Sequence, residues 1–573
     1  MAQQCVLFAG GYSPWKIVLA SDPSPSVRYA AEEFAMFFEQ LCGARLPIIS
    51  DSVFPASYEI VIGESLRTSD DCGCPKDIAG GEDVWYQIRE DRVVIAGGGL
   101  RGTLYSVYEF LENECGVRFF TPSLTHVPRR DSVILPVKTH SYHPPLEYRE
   151  VFYYNPCHSA DWCARNRVNG GHAPLAEKHG GAVRWHGFCH TFQSLVPPEQ
   201  YAETHPEYYS LKADGTRATG RRAQLCLTNP DVLRIATEQV KTWLREHPDA
   251  TIVSVSQMDG TTPETMLPCL CDECRKVDEY EGGHSGTILH FVNKIAEAIE
   301  EEFPYASIDT IAYAYSIQPP KHVKARRNVI IRPCFRDPDL LAEWYRVCPR
   351  LYIWDYVTNF RHYAMTFPNY DTIAPNIRSL IENHITGIFA QGVYDTPGLD
   401  FEELKAYLFA KLLWNPSLNT EQLINEFMAA YFGPAGAPLK RYLDVLRAKI
   451  RDENLPLLCF CNLPVPYITP EIIEFGKACF DAAERLAGTP EILRRVQQSR
   501  LSLMFMELMY TPKGSPGRDE AIDRFFDRVQ YLGVLLVSER NKLPEARQRM
   551  KEMSGLYELA KEIPHDANRP DEI

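Results

Sequence analysis

Four short runs carry most of the information about the fold: SIDTIAYAYS (307–316), NVIIRP (328–333), RLYIWDYV (350–357) and GIFAQGVYD (387–395). Each is an apolar segment of strand length, and helical stretches lie between several of them. Working back along the chain, LEYREVFYY (146–154), RWHGFCH (184–190), QLCLT (224–228) and TIVSVSQMDG (251–260) read the same way. The segments VLRIATEQVKTWLREHP (232–248) and TILHFVNKIAEAIEEEFP (287–304) place apolar residues at helical spacing. About eight strand-then-helix units predict a (β/α)8 barrel, with an open parallel sheet as the competing layout. No Gly-x-Gly-x-x-Gly follows a strand, which argues against a dinucleotide fold.

On either side of this region the pattern changes. Pro144-Pro145 marks a boundary. Before it, Asp22-Pro23-Ser24-Pro25-Ser26 announces a helix that Gly43 stops, and RGTLYSVYEFLENECG (101–116) predicts a second. The strands YEIVIGE and VWYQIREDRVVIAGGG interleave with them. The expected organisation is a small α/β domain over residues 1–138, a barrel over 139–420 and an α-helical domain over 421–573. Gly97-Gly98-Gly99 lacks the Gly-Lys-Ser/Thr ending of a phosphate loop and reads as a strand-to-helix turn.

Composition narrows the function. With 573 residues, 45% hydrophobic and 24% charged, the chain is an ordinary multi-domain globular protein rather than a disordered one. Asp and Glu number 75 against 60 Lys and Arg, a net charge of -15 that disfavours nucleic acid and anionic membranes as partners. No apolar stretch reaches the length of a membrane span. The start MAQQCVLFAGGYSPWK lacks a basic leader region, and 17 scattered cysteines suit reduced thiols, so a cytoplasmic location is expected, or secretion if a signal was removed. Oligomeric state is left open.

In a barrel the chemistry belongs where strands end. Those points carry Arg149 and Glu150; His186 and His190; Gln257 and Asp259; Tyr313 and Tyr315; Arg332; Trp354 and Asp355; and Gln391, Tyr394 and Asp395. Carboxylates, tyrosines and a tryptophan converging on one mouth suit a carbohydrate, whose hydroxyls need acceptors and whose C–H faces stack on rings. Glycosidic cleavage also needs a proton donor and a second carboxylate, or a substrate group held by one. Asp259 is the favoured acid, with Asp355 or Asp395 as partner. The others are read as substrate contacts, with Tyr313 and Tyr315 sharing a face by strand alternation. The trio Cys269, Cys271 and Cys274 has a spacing that suits zinc if His284 or His290 supplies a fourth ligand. The expectation is no cofactor, with at most a structural zinc at the trio; Cys72 and Cys74 add little.

The segments HTFQSLVPPEQYAETHPEYYSLKADGTR (190–217), QLCLTNP (224–230), VSVSQMDG (253–260), CLCDEC (269–274), IWDYVTNF (353–360) and AKLLWNP (410–416) resemble, in that order, the domain of unknown function 4838 family. The preceding region resembles the small α/β domain of family 20 hexosaminidases and family 67 α-glucuronidases. The 4838 group includes glycoside hydrolase family 163, which acts as an endo-β-N-acetylglucosaminidase on complex N-glycans. The resemblance implies a retaining glycoside hydrolase acting on an N-acetylhexosamine-containing glycan, with the substrate's acetamido group as nucleophile. Met258 stands where the family pattern has Asn, so only Asp259 carries over. The alternatives are an α-glucuronidase-like enzyme using Arg149 or Arg332 for a sugar carboxylate, another exo-glycosidase, or an inactive carbohydrate-binding protein.

Overall fold

A computed structural model describes residues 3–68, 81–220, 222–260, 267–461 and 464–552; Cys72 and Cys74 lie outside the described residues. The centre of the molecule is a curled sheet of seven parallel strands. In spatial order these are Tyr148–Phe152, Ile385–Gln391, Leu351–Tyr356, Val329–Pro333, Ser307–Ala312, Ile252–Ser254 and Trp185–His186. Side chains alternate across each strand. Tyr148, Ile252, Ile330, Tyr352 and Phe389 fill the inside with Trp185, Phe188 and Trp354. Val151, Val253, Ile308, Ile331, Ile353 and Ile388 join the layer under the surrounding helices. Tyr148 stacks on Tyr352 across the interior, centroids 5.2 Å apart.

Among the described residues the sheet has seven strands rather than eight. QLCLT does not join it, because a local partner takes its backbone groups: Cys226 N–H donates to Tyr208 C=O at 2.8 Å and Ser210 N–H to Gln224 C=O at 2.9 Å. The strand Trp185–His186 therefore pairs directly with Ile252 and Val253. Its other side faces the first strand across an irregular bridge. Asn169 and Gly170 N–H both donate to Arg149 C=O, and Val183 N–H donates to Asn169 C=O.

Before the barrel, a six-stranded sheet runs in the order Lys138–Tyr142, Val84–Ile88, Arg92–Gly97, Glu59–Ile62, Lys16–Leu19, Ile48–Ser50. Two helices accompany it. Pro25–Cys42 starts where the Ser24 side chain accepts the Val27 N–H and stops at Gly43 with φ 80°. Gly102–Phe110 follows the glycine run. A Cβ on Gly97 would lie 2.2 Å from the Gly102 carbonyl carbon, so the run is a close strand-to-helix crossing.

After the barrel come helices Thr420–Phe432, Gly436–Glu453, Pro470–Leu486, Pro490–Tyr510, Arg518–Tyr531 and Leu543–Glu552. Thr469 and Thr489 cap two of them, each ahead of a proline at the first position. No helix among the described residues is long and apolar enough to cross a membrane.

Candidate active site

The inward positions that follow the packed interior open into a cavity of about 350 Å³ at the C-terminal ends of the strands. Ile311 lies one inward step beyond Asp309, and Cys334 one beyond Arg332. Trp354, Tyr356 and Gln391 line the facing wall. Trp354 Nε1 donates to Gln391 Oε1 at 2.7 Å, tying two strands of that wall together. Beneath the cavity, Arg332 and Asp309 form a fully buried pair at 2.9 Å. The guanidinium also lies over Phe188, Trp185 and Trp354, 4.2, 4.7 and 5.1 Å from the ring centroids. Burial pushes the Asp309 carboxyl up to about 6 against the pull of Arg332. Arg332 is thus a strut under the site and not a free sugar-binding arginine.

Asp259 faces the cavity on the segment that leaves the strand Ile252–Ser254. Two neighbours fix that segment. Gln257 is buried and points away from the cavity, donating from Nε2 to Tyr313 C=O at 3.0 Å and Ser316 Oγ at 2.8 Å. Gln224 holds both backbone groups of Met258. Tyr313 Oη then donates to Asp259 Oδ1 at 3.3 Å.

His190, with a left-handed φ of 56°, is held by its N–H on Ser256 Oγ at 2.8 Å. Its Nδ1 meets the Gln257 carbonyl at 2.8 Å. A carbonyl only accepts, so Nδ1 carries the proton and Nε2 is left as an acceptor. Burial lowers the His190 pKa from its ordinary value.

The second carboxylate of the cavity comes from the helical region, which no reading of strand ends would find. Glu539 and Arg540 line it together with Cys459 and Phe460. Their segment is sewn to the barrel loops. Leu535 and Leu536 N–H donate to Thr396 Oγ1, Glu539 N–H donates to Phe360 C=O, and Tyr394 Oη donates to Glu539 Oε1 at 3.0 Å. Arg222 supplies another cation, and its Nη1 is buried without a hydrogen-bond partner among the described residues. Arg540, beside Glu539 and within the field of Asp259, is held above the ordinary arginine value.

The remaining expected residues divide by strand parity. Asp355 lies between the inward Trp354 and Tyr356, so it points outward. There it is buried and paired with Arg336, whose Nε donates at 2.5 Å. It is no partner for Asp259. Asp395 is outside the cavity lining, beside Tyr363, Glu539 and Arg540. Burial raises its pKa, and the Glu539 charge adds to the rise. Arg149 also points outward and pairs with Glu82, in the turn before the strand Val84–Ile88, its Nε donating to Arg167 C=O at 2.8 Å. Glu150 points inward but low in the barrel, accepting from Tyr148 Oη at 2.7 Å and His172 N–H at 3.2 Å. His186 stacks outside on Trp243 and His247. Tyr394 buttresses Glu539 and stacks on Phe152. Tyr313 and Tyr315 do not share a face. The strand ends at Ala312, and a 3-10 turn through Ala314 (φ 52°) sends Tyr315 toward the cysteines instead.

The model of the family described as a domain of unknown function, DUF4838, matches residues 119–444, more than half of the chain. The chain belongs to the DUF4838 family. The DUF4838 region contains the whole parallel sheet and Asp259, while Glu539 and Arg540 lie beyond its matched residues. No curated protein matches the chain. Among solved structures, the chain is similar to a family GH115 4-O-methyl-α-glucuronidase with specificity for decorated arabinogalactans. The TM-score is 0.56 at 11% identity, covering 92% of this chain and 77% of that one. It is also similar to a family 89 glycoside hydrolase from Clostridium perfringens in complex with 2-acetamido-1,2-dideoxynojirmycin. There the TM-score is 0.50 at 13% identity, with 88% and 65% coverage. At these identities the likeness is one of fold alone.

Proposed function

We propose that this protein is a glycoside hydrolase whose catalytic carboxylates are Asp259 and Glu539. The observation that carries the reading is that these two acids, 280 positions apart in the sequence (539 less 259), line one aromatic cavity at the C-terminal mouth of a parallel barrel. Asp259, held by Tyr313, is the proton donor to the glycosidic oxygen. Glu539, oriented by Tyr394, serves the opposite side of the sugar or steadies a substrate group that attacks there. Trp354, Tyr356 and Phe460 offer faces for sugar C–H bonds. A cavity of about 350 Å³ suits the end of a chain better than its middle. The favoured substrate is a glycan with an N-acetylhexosamine. The apolar patch of Ile311, Cys334 and Trp354 fits an acetamido methyl.

One observation favours a second sugar. Arg222 and Arg540 both line the cavity, and two guanidinium groups suit the carboxylate of a uronic acid. Aryl glycosides of GlcNAc, GalNAc, glucuronic acid and galactose, assayed with wild type and Asp259→Asn, separate the readings. Turnover of an N-acetylhexosaminide with loss of about a hundredfold or more in the variant supports the first. Turnover of the glucuronide alone supports the second. Unchanged turnover in Asp259→Asn removes Asp259 from the mechanism.

A further inference from the structure

Beside the cavity, Cys226 completes the trio Cys269, Cys271 and Cys274. The four Sγ atoms all lie within 4.8 Å of one another, with Cys226 at 3.6 Å from Cys271 and 4.0 Å from Cys274. A disulfide needs about 2.05 Å, so neither of these two pairs is bonded, and all four cysteines are free thiols. Four sulfurs placed about 2.3 Å from a central zinc define a tetrahedron with edges of about 3.8 Å. The observed separations bracket that value. Neither histidine expected as the fourth ligand competes for the position. His284 Nδ1 is engaged by Asp278 at 2.7 Å and His290 Nε2 by Glu281 at 2.9 Å.

The surroundings suit thiolates. Leu211 N–H points at Cys269 Sγ at 3.3 Å, and Arg217 approaches the same sulfur at 3.8 Å. The Thr228 hydroxyl lies 3.2 Å from Cys274 Sγ. Cys271 stands at the N-cap position of the helix Asp272–Glu281 and Cys274 sits in its first turn, where the helix dipole favours negative charge. Cys226, Cys269 and Cys274 are at most 5% exposed. Four uncoordinated thiols packed this closely have little to gain from one another, whereas a divalent soft cation satisfies all of them.

We propose that Cys226, Cys269, Cys271 and Cys274 form a structural zinc site that locks two loops of the cavity to each other. Four sulfur ligands leave no open position, so the ion takes no part in chemistry. Its effect is positional. Cys226 ends a segment that carries Arg222 into the cavity and Gln224 onto the Met258 backbone, and the other three thiols follow Asp259 in the chain. Neither segment belongs to a strand of the barrel, so a cross-link substitutes for sheet hydrogen bonds. The site stands whichever sugar the cavity accepts, and its test does not need an assay.

Protein prepared under reducing conditions without added metal is expected to contain about one zinc per chain by elemental analysis. A mercurial reagent should release that zinc. Cys226→Ser and Cys274→Ser should each lose most of the metal and melt several degrees lower, while Cys42→Ser, at a thiol remote from the cluster, keeps it. If the serine variants do not accumulate, wild type loaded with cobalt(II) gives the answer, since four thiolates produce strong tetrahedral d–d and charge-transfer bands. Metal-free wild type that also shows no cobalt bands would overturn the site. So would peptide mapping of freshly reduced, re-purified protein that finds two of the four joined as a disulfide.

Discussion

Gln224 grips Met258 by both of its backbone groups: the Met258 N–H donates to Oε1 at 3.0 Å, and Nε2 donates to the Met258 carbonyl at 2.8 Å. A side-chain amide here does what a neighbouring strand would otherwise do, one residue before Asp259. Leu in place of Gln224 leaves two backbone groups unpaired and frees the segment that aims the acid. We expect Gln224→Leu to lower kcat by about tenfold, with a loss of stability of about 1–3 kcal/mol. Steady-state kinetics beside a urea melt checks both. A variant with full kcat would show that Asp259 does not depend on this grip.

Glu539 tests whether the helical region completes the site. Glu539→Gln keeps the shape and the hydrogen bond from Tyr394 but removes the charge. Turnover is expected to fall by about a hundredfold or more, with the melting temperature unchanged. Tyr394→Phe, which removes only the orienting hydroxyl, should fall by a smaller factor. Wild-type turnover in Glu539→Gln would return the search for a second carboxylate to the barrel loops.

Asp355 is expected to behave in the opposite way. Its carboxylate is buried against Arg336 on the outer face of its strand. Asp355→Asn should destabilise the fold by about 3 kcal/mol, because it leaves a guanidinium without its charge partner. The kcat of the folded fraction should stay at the wild-type value. Loss of kcat without loss of stability would bring Asp355 back into the mechanism.

His362 sets part of the pH dependence. It is 9% exposed, its ring lies against Phe505, and burial pushes its pKa down to about 4, with Arg361 adding to the effect. The unfolded chain binds this proton near pH 6.5 and the folded chain near pH 4. The stability contribution is therefore complete above pH 6.5 and is lost as the pH falls through about 4, a change on the order of 3 kcal/mol. Asp309 acts in the other sense. Its raised pKa means that stability falls as the pH rises from about 3.8 toward 6. The test is thus the difference between wild type and His362→Leu in urea midpoints from pH 7.5 to pH 4.5. The stability of wild type relative to the variant should fall toward acid; a constant difference would refute the assignment.

Much of the fold was legible along the chain, for local reasons. The runs 307–316, 328–333, 350–357 and 387–395 each form a parallel strand, because short apolar segments separated by helices have few other ways to bury their surface. Ser24, Pro25 and Gly43 set the limits of a helix by satisfying or freeing its terminal amides. The position of Asp259 was also legible, since a residue that follows a barrel strand reaches the mouth.

Parity and distance decided the rest. Whether Asp355 points in or out depends on which neighbour the barrel interior accepts. Trp354 and Tyr356 claimed the inside, and that sent the carboxylate to Arg336. QLCLT has the composition of a strand, yet its backbone pairs with Tyr208–Ser210 instead, with Cys226 beside the other thiols. Glu539 and Asp259 carry no mark in the sequence of belonging together. They line one cavity because Leu535 and Leu536 dock on Thr396 and bring the segment 535–540 to the barrel mouth, a long-range contact that no local pattern encodes.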